Sequence, residues 1–322
     1  MTSTARALVV TGPRTFELRA AALGDLMPGQ VRVEVEGCGV CGSNLPVWEG
    51  RPWFSYPLTP GAPGHEAWGR VLEHGPDLPA GAPAVGARVA FLADNAFAEA
   101  VDVPAAALVE IPTAVTGAFP GEAVGCAFNI AARSGFAAGQ VVAIVGAGFL
   151  GILTGALAAE AGAHVIALSR RSSALELARA FGAKDTVQLT GSENPVEQVQ
   201  RLTGGALCDV VIEAVGAQDP LNLAGQLTDV RGRLVIAGFH QDGPRTVDVQ
   251  LWNWRGIDVV NAHERDEAIR LAGIRAAAEA IADGRIDPAP LYTHALPFER
   301  AGEALDLIVE RPEGFLKALV TR

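Results

Sequence analysis

Residues 141–151 read VVAIVGAGFLG. The run VVAIV predicts a short strand covered on both faces, and the stretch FLGILTGALAAEAG that begins at Phe149 predicts a helix. Gly146, Gly148 and Gly151 stand between them at GxGxxG spacing. In that context the first glycine permits a tight turn. The second lets backbone approach a pyrophosphate, and the third lets the helix pack close against the strand. The helix start at Phe149 and Leu150 then offers N–H groups and the positive end of a dipole to the phosphates. Ser134 to Ala159 carries no charge and is long enough to raise the question of a membrane span, but six glycines break it and argue against one.

The rhythm continues beyond this turn. HVIALS, SSALELARAFGA, CDVVIEAVG, LNLAGQLTD, GRLVIAGF and IDVVNA alternate strand and helix patterns, which predicts an α/β domain with a doubly wound parallel sheet. The strand HVIAL leads into Ser169, where a protein selecting NAD(H) would place an acid on the ribose 2′-hydroxyl. Here the residues are Ser169, Arg170 and Arg171, a hydroxyl and two guanidiniums suited to a 2′-phosphate, so NADP(H) is favoured over NAD(H). Val215, Gly216 and Gly238 follow later strands, at the carboxyl ends where such sheets bind ligands, and are expected near the nicotinamide.

Residues 1–112 behave differently, with short apolar runs broken by Gly and Pro, as in GQVRVEVEGCGVCG and GARVAFLA, the pattern of an antiparallel β domain. Helices at 268–284 and 298–310 and a strand in FLKALVT close the sequence. The chain has 322 residues, 25 basic against 36 acidic, and a net charge of −11, with only two lysines, Lys184 and Lys317. Such a balance, without a basic run, disfavours nucleic acid and anionic membranes as partners. The N-terminus lacks the apolar core of a signal peptide. Cys38, Cys41, Cys126 and Cys208 show no disulfide spacing, so the cytoplasm is expected.

Within the antiparallel region, GCGVCGSN places Cys38 and Cys41 at CxxC spacing and PGHEAWG supplies His65 and Glu66. No second ligand pair follows at similar spacing, as a structural zinc finger requires. One cysteine, one histidine and one carboxylate do meet the three-ligand pattern of a catalytic zinc with an open position. The plainer alternatives are a buried apolar cysteine and a hydrogen-bonded histidine.

The chain resembles the medium-chain dehydrogenase/reductase superfamily in its zinc-dependent alcohol and polyol dehydrogenase branch, over essentially its whole length. The residues that carry the resemblance are GVCGSN at 39–44, GHE at 64–66, GARVAF at 86–91, FAEA at 97–100, GEAVGCAFN at 121–129, GAGFLG at 146–151 and GFLKALV at 314–320. It implies a mainly antiparallel GroES-like catalytic domain from residues 1–121 and 262–322, with a Rossmann domain over 122–261. It implies Cys41 and His65 as zinc ligands and Glu66 as the carboxylate that binds or stands behind the metal. Glu122 matches the further glutamate ligand of polyol-type members, with Cys126 the competing candidate. Ser43 matches the hydroxyl that relays the substrate proton, and Lys317 falls where relatives often carry a basic residue. The activity implied is hydride transfer between a nicotinamide cofactor and a secondary alcohol or ketone, polyol-like or cyclic, in a homodimer or homotetramer.

Departures from the family pattern bear on this. Many relatives have Asp where this chain has Asn44, which removes a charge behind the metal, and a relay histidine is replaced by Pro46. The four-cysteine lobe that binds a structural zinc in many relatives is missing, since GARVAFLADNAFAEA runs from one strand to the next, so at most one zinc, the catalytic one, is expected. Trp48, Trp53 and Phe54 are candidates to wall the site or to serve as core and rim. Two other readings remain open, a zinc-free reductase of activated alkenes on the same scaffold and a non-catalytic NADPH-binding sensor.

Overall fold

A computed structural model describes residues 4–322, which fall into two compact units. One comprises the chain through Gly125 together with Asp266–Arg322, and the other is the continuous segment Cys126–Arg265.

The continuous unit holds six parallel strands. Their order is Asp185–Gln188, His164–Ser169, Val141–Val145, Cys208–Glu213, Thr228–Ile236 and Asp258–Asn261. Chain direction across the sheet reverses between Val141–Val145 and Cys208–Glu213, which creates a crevice at their carboxyl ends. The β-branched strand Val141–Val145 is almost wholly buried, as expected of a central parallel strand flanked by helices. The charge-free stretch resolves into the end of helix Gly121–Ser134, this strand, and helix Phe149–Glu160. No described helix is long and apolar enough to cross a membrane.

The other unit is built on a seven-stranded, mainly antiparallel sheet. Its order runs His294–Pro297, Ala318–Thr321, Gln30–Gly39, Glu66–His74, Arg88–Phe91 and Leu108–Glu110, and Ala100–Pro104 also pairs with Gln30–Gly39. A separate ribbon joins Thr4–Gly12 to Thr15–Ala22. Valines alternating inward from Gln30–Gly39 pack with Phe91, Phe97 and Trp48 to form the core. Helix Glu267–Ala282 starts at Asp266, whose side chain accepts from Ala268 N at 2.8 Å and so satisfies a helix-end donor.

Register in this sheet gathers four polar side chains. Gly39 lies opposite Glu66, and Leu319 lies opposite Gly39. Cys41 just past one strand end, His65 and Glu66 at the start of the next, and Lys317 just before the third therefore emerge at the same end of the sheet.

Candidate active site

Cys41 Sγ, a ring nitrogen of His65 and a carboxylate oxygen of Glu66 lie within 4.8 Å of one another, the one group of three such donors among the described residues. Gly39 makes room for it, because a Cβ there would stand 2.1 Å from Glu66 Oε2. His65 Nδ1 donates to the Pro63 carbonyl at 2.9 Å, which leaves Nε2 facing Cys41 and Ser43, whose Oγ lies 3.3 Å away. Burial disfavours the charged imidazole, yet the hydrogen bond and charge of Cys41, with the charges of Glu66 and Glu122, outweigh it and lift His65 to about 10. The pocket's negative charge thus holds a proton where a divalent cation, displacing it, would find a thiolate, an imidazole and a carboxylate. In donor type and closeness the group suits zinc.

Asn44 is almost fully buried and braces these donors. Its Oδ1 accepts from Cys41 N at 3.1 Å, and its Nδ2 donates at 3.0 Å to the Pro63 carbonyl that also holds His65. One amide, offering an acceptor and a donor, therefore ties the cysteine turn to the histidine segment. Aspartate has no donor for that carbonyl. Loss of a charge behind the metal is accompanied here by a neutral brace.

Lys317, whose role the sequence left open, is buried and reaches Glu66 at 2.7 Å and 2.5 Å from its two oxygens. Burial works against its charge, but Glu66 and Cys41 outweigh it and hold the ammonium pKa above the usual lysine value. Glu122 opens helix Gly121–Ser134 but does not join the donor group, and Arg270 on helix Glu267–Ala282 lies 3.3 Å from its Oε1. Its charge still reaches His65 and Lys317. Cys126 lies outside the donor group too. Trp48 belongs to the core, its indole nitrogen donating to Asp306 at 2.8 Å, while Trp53 is 59% exposed and tilted against Phe54. Pro46 is buried in the first turn of the short helix Leu45–Glu49, so it supplies shape and no proton.

In the continuous unit the three glycines of the turn meet distinct demands. Gly146 has φ +108°, and a Cβ there would stand 2.5 Å from Val215 Cγ2. At Gly151 a Cβ would lie 2.1 Å from the Gly146 carbonyl. Around Gly148 the space is open, and no side chain caps the helix that begins at Phe149 and continues through Leu150. An open cradle before an uncapped helix start suits a pyrophosphate. Ser169 Oγ accepts from Arg171 N at 3.2 Å, which starts helix Ser172–Ala180 and leaves Arg170 exposed beside the strand end.

One residue at this end was not anticipated. Glu213 is fully buried at the carboxyl end of an apolar strand and accepts from Val215 N and Gly216 N, each at 2.8 Å. The signal was present in CDVVIE, since a carboxylate closing an otherwise apolar central strand must be paired.

Comparisons with known proteins agree with this geometry. Residues 27–113 match the alcohol dehydrogenase GroES-like domain family, and residues 150–273 match the zinc-binding dehydrogenase family. The 2-dehydro-3-deoxy-L-galactonate 5-dehydrogenase of Pseudoalteromonas atlantica is 27% identical, with 91% of each chain covered. Sorbitol dehydrogenase 1 of Saccharomyces cerevisiae is 26% identical, again covering 91% of each. A Sinorhizobium meliloti protein solved with NADP bound superimposes with a TM-score of 0.86 at 26% identity, over 99% of this chain and all of that one.

Proposed function

The chain belongs to the zinc-dependent branch of the medium-chain dehydrogenase/reductase superfamily and is an alcohol dehydrogenase, and from that premise we propose that it oxidises a polyol-like or cyclic secondary alcohol with NADP⁺, or reduces the matching ketone. The observation that carries this reading is the convergence of Cys41, His65 and Glu66 beside the Ser43 hydroxyl. The curated relatives acting on sugar acids and sorbitol support the substrate class, and the NADP-bound neighbour supports the cofactor.

When bound, zinc supplies a Lewis acid that lowers the pKa of the substrate hydroxyl, and the nicotinamide supplies the hydride acceptor. Cys41 and His65 would hold the metal, and the two nearby carboxylates differ in what it costs to recruit them. Drawing Glu66 away leaves Lys317 charged and buried, a loss of about 3–5 kcal/mol. Drawing Glu122 from Arg270, a longer and partly exposed pair, costs on the order of 1 kcal/mol. On that balance Glu122 would be the carboxylate that joins Cys41 and His65 in holding zinc, and Glu66 would stay paired with Lys317. Ser43 accepts the substrate proton and passes it toward solvent, as Pro46 offers no relay group. Gly148 and the start of helix Phe149–Glu160 would hold the pyrophosphate, and Arg170 and Arg171 would hold the 2′-phosphate.

Cys38, Cys41, Cys126 and Cys208 form no disulfide, which fits a reducing cytoplasm. Among the described residues the terminal strand Asp258–Asn261 pairs on one side only, and its edge would be offered to a second copy in a dimer or tetramer. The test is metal analysis with turnover on polyols, cyclic alcohols and ketones. About one zinc per chain with NADP⁺-dependent oxidation is expected, and full activity without zinc would overturn the reading. Alanine at Arg170 and Arg171 should raise the KM for NADP⁺ far more than that for NAD⁺.

A further inference from the structure

We propose that Glu213, His240 and Arg245 form a positioning chain for the nicotinamide half of the cofactor, and that the exposed side chains of Val215 and Phe239 are the apolar surface it holds in place. The proposal rests on the reading that the glycine turn binds a dinucleotide.

Three strand ends meet here. The phosphate turn at Gly146 touches the turn after Cys208–Glu213 so closely that a Cβ on Gly146 would stand 2.5 Å from Val215 Cγ2. That second turn packs equally closely on the next, where a Cβ on Gly238 would lie 2.1 Å from Gly216 N. Glu213 sits at the centre and binds all that surrounds it. Its carbonyl accepts from Ala237 N and Gly238 N, each at 2.8 Å. Its Oε1 takes the Val215 and Gly216 amides, and its Oε2 lies 3.0 Å from His240 Nε2. Val215 is 41% exposed and Phe239 51% exposed, and Phe239 stacks on His263. Val215 stands at the crevice where the sheet reverses direction, against the phosphate turn, and Phe239 follows the adjoining strand, its backbone packed on Gly216.

The hydrogen bonds of this chain run in one direction. Arg245 Nε has only protons to offer and donates to His240 Nδ1 at 3.1 Å, so Nε2 carries the ring proton and donates to Glu213. Arg245 also holds the carbonyls of Asp242 and Gly243 at 3.3 and 3.2 Å, and that of Gly216 at 3.4 Å. A neutral imidazole thus links an arginine near the surface to a buried carboxylate, so that charge and direction are both satisfied. Since Glu213 occupies the Val215 and Gly216 amides, the turn meets the cofactor with side-chain surface and not with those donors.

The test compares two ligands by calorimetry on the full chain. One is NADP⁺, or NAD⁺ if that is the tighter binder. The other is the matching ADP-ribose, with or without its 2′-phosphate, which lacks nicotinamide. His240→Leu, which leaves buried Glu213 short of a donor, should weaken the whole cofactor about tenfold or more and leave the nicotinamide-free ligand within about twofold, with zinc content unchanged. His240→Gln keeps a donor and an acceptor and should recover most of the affinity. Arg245→Met, at the outer end of the chain, should show the same selective loss to a smaller degree, and it carries the test if the leucine variant does not fold. Equal loss of both ligands, or no loss of either, would overturn the positioning role. A wild-type chain that binds neither ligand would overturn the dinucleotide reading, and the inference with it.

Discussion

The phosphate turn takes its shape from one unbroken stretch, residues 141–151, whereas the donor group Cys41, His65 and Glu66 and the side chains around it are collected from residues 39–44, 63–66, 122, 270 and 317. The turn works through backbone, and what matters at its glycines is the absence of a side chain. The donor group works through side-chain chemistry, with backbone help from Gly39 and the Pro63 carbonyl, and three further side chains, Asn44, Lys317 and Arg270, hold the cysteine turn and the two carboxylates. A local, backbone-built site is expected to be intolerant of bulk, and a side-chain-built site intolerant of changed charge or hydrogen bonding.

The largest effect that would sharpen this contrast is expected from Cys41→Ser. Zinc should fall from about one per chain to near none and turnover by at least about 10³-fold, equivalent to roughly 4 kcal/mol, while cofactor binding by calorimetry stays close to wild type. Loss of cofactor affinity in this variant would show that the two regions are not independent.

Lys317→Met comes next. It leaves the buried Glu66 carboxylate without its cation, and urea denaturation should report a loss of about 3–5 kcal/mol. If Glu66 instead turns to the metal when freed, added zinc will restore much of that stability. An unchanged deficit with zinc keeps Glu122 as the ligand.

Asn44→Asp sets an oxygen against the Pro63 carbonyl in place of a donor, and zinc affinity measured against a chelator should weaken by about 10–100-fold. Unaltered affinity would show that the brace is dispensable. Gly151→Ala places a Cβ against the Gly146 carbonyl, with an overpacking cost of about 1–3 kcal/mol. The cofactor Kd should rise in that variant while zinc content does not. The smallest change is expected from Arg270→Gln, which removes the ion pair to Glu122 and should tighten zinc by less than about tenfold.

The same contrast explains which features are legible in the sequence. VVAIVGAGFLG declares strand, turn and helix within one window, because period, glycine spacing and β-branching all act locally. The convergence of Cys41, His65 and Glu66 was also legible, through resemblance and ligand chemistry. The brace made by Asn44 was not, since it depends on a carbonyl in another segment, and its identity alone suggested only a missing charge. Lys317 showed as one of two lysines at a place where relatives often carry a basic residue, but its role stayed hidden because its partner is set by the pairing of Leu319 with Gly39. Glu122 matched a ligand position by sequence, but Arg270, far along the chain, decides where its carboxylate rests. Trp48 offered an aromatic near the cysteine, and burial against the core directs it elsewhere.

The split composition of the antiparallel unit bears on the order in which the protein is made. Its sheet needs Ala318–Thr321 beside Gln30–Gly39, and Glu66 meets its cation 251 residues further along the chain. The segment Cys126–Arg265 is continuous and is complete while that strand is still to be translated. On the ribosome, the usual sequence in which the N-terminal domain folds first is therefore reversed. Cys41 and His65, synthesised early, wait beside a sheet edge that stays open to pairing with other chains until Ala318–Thr321 closes it.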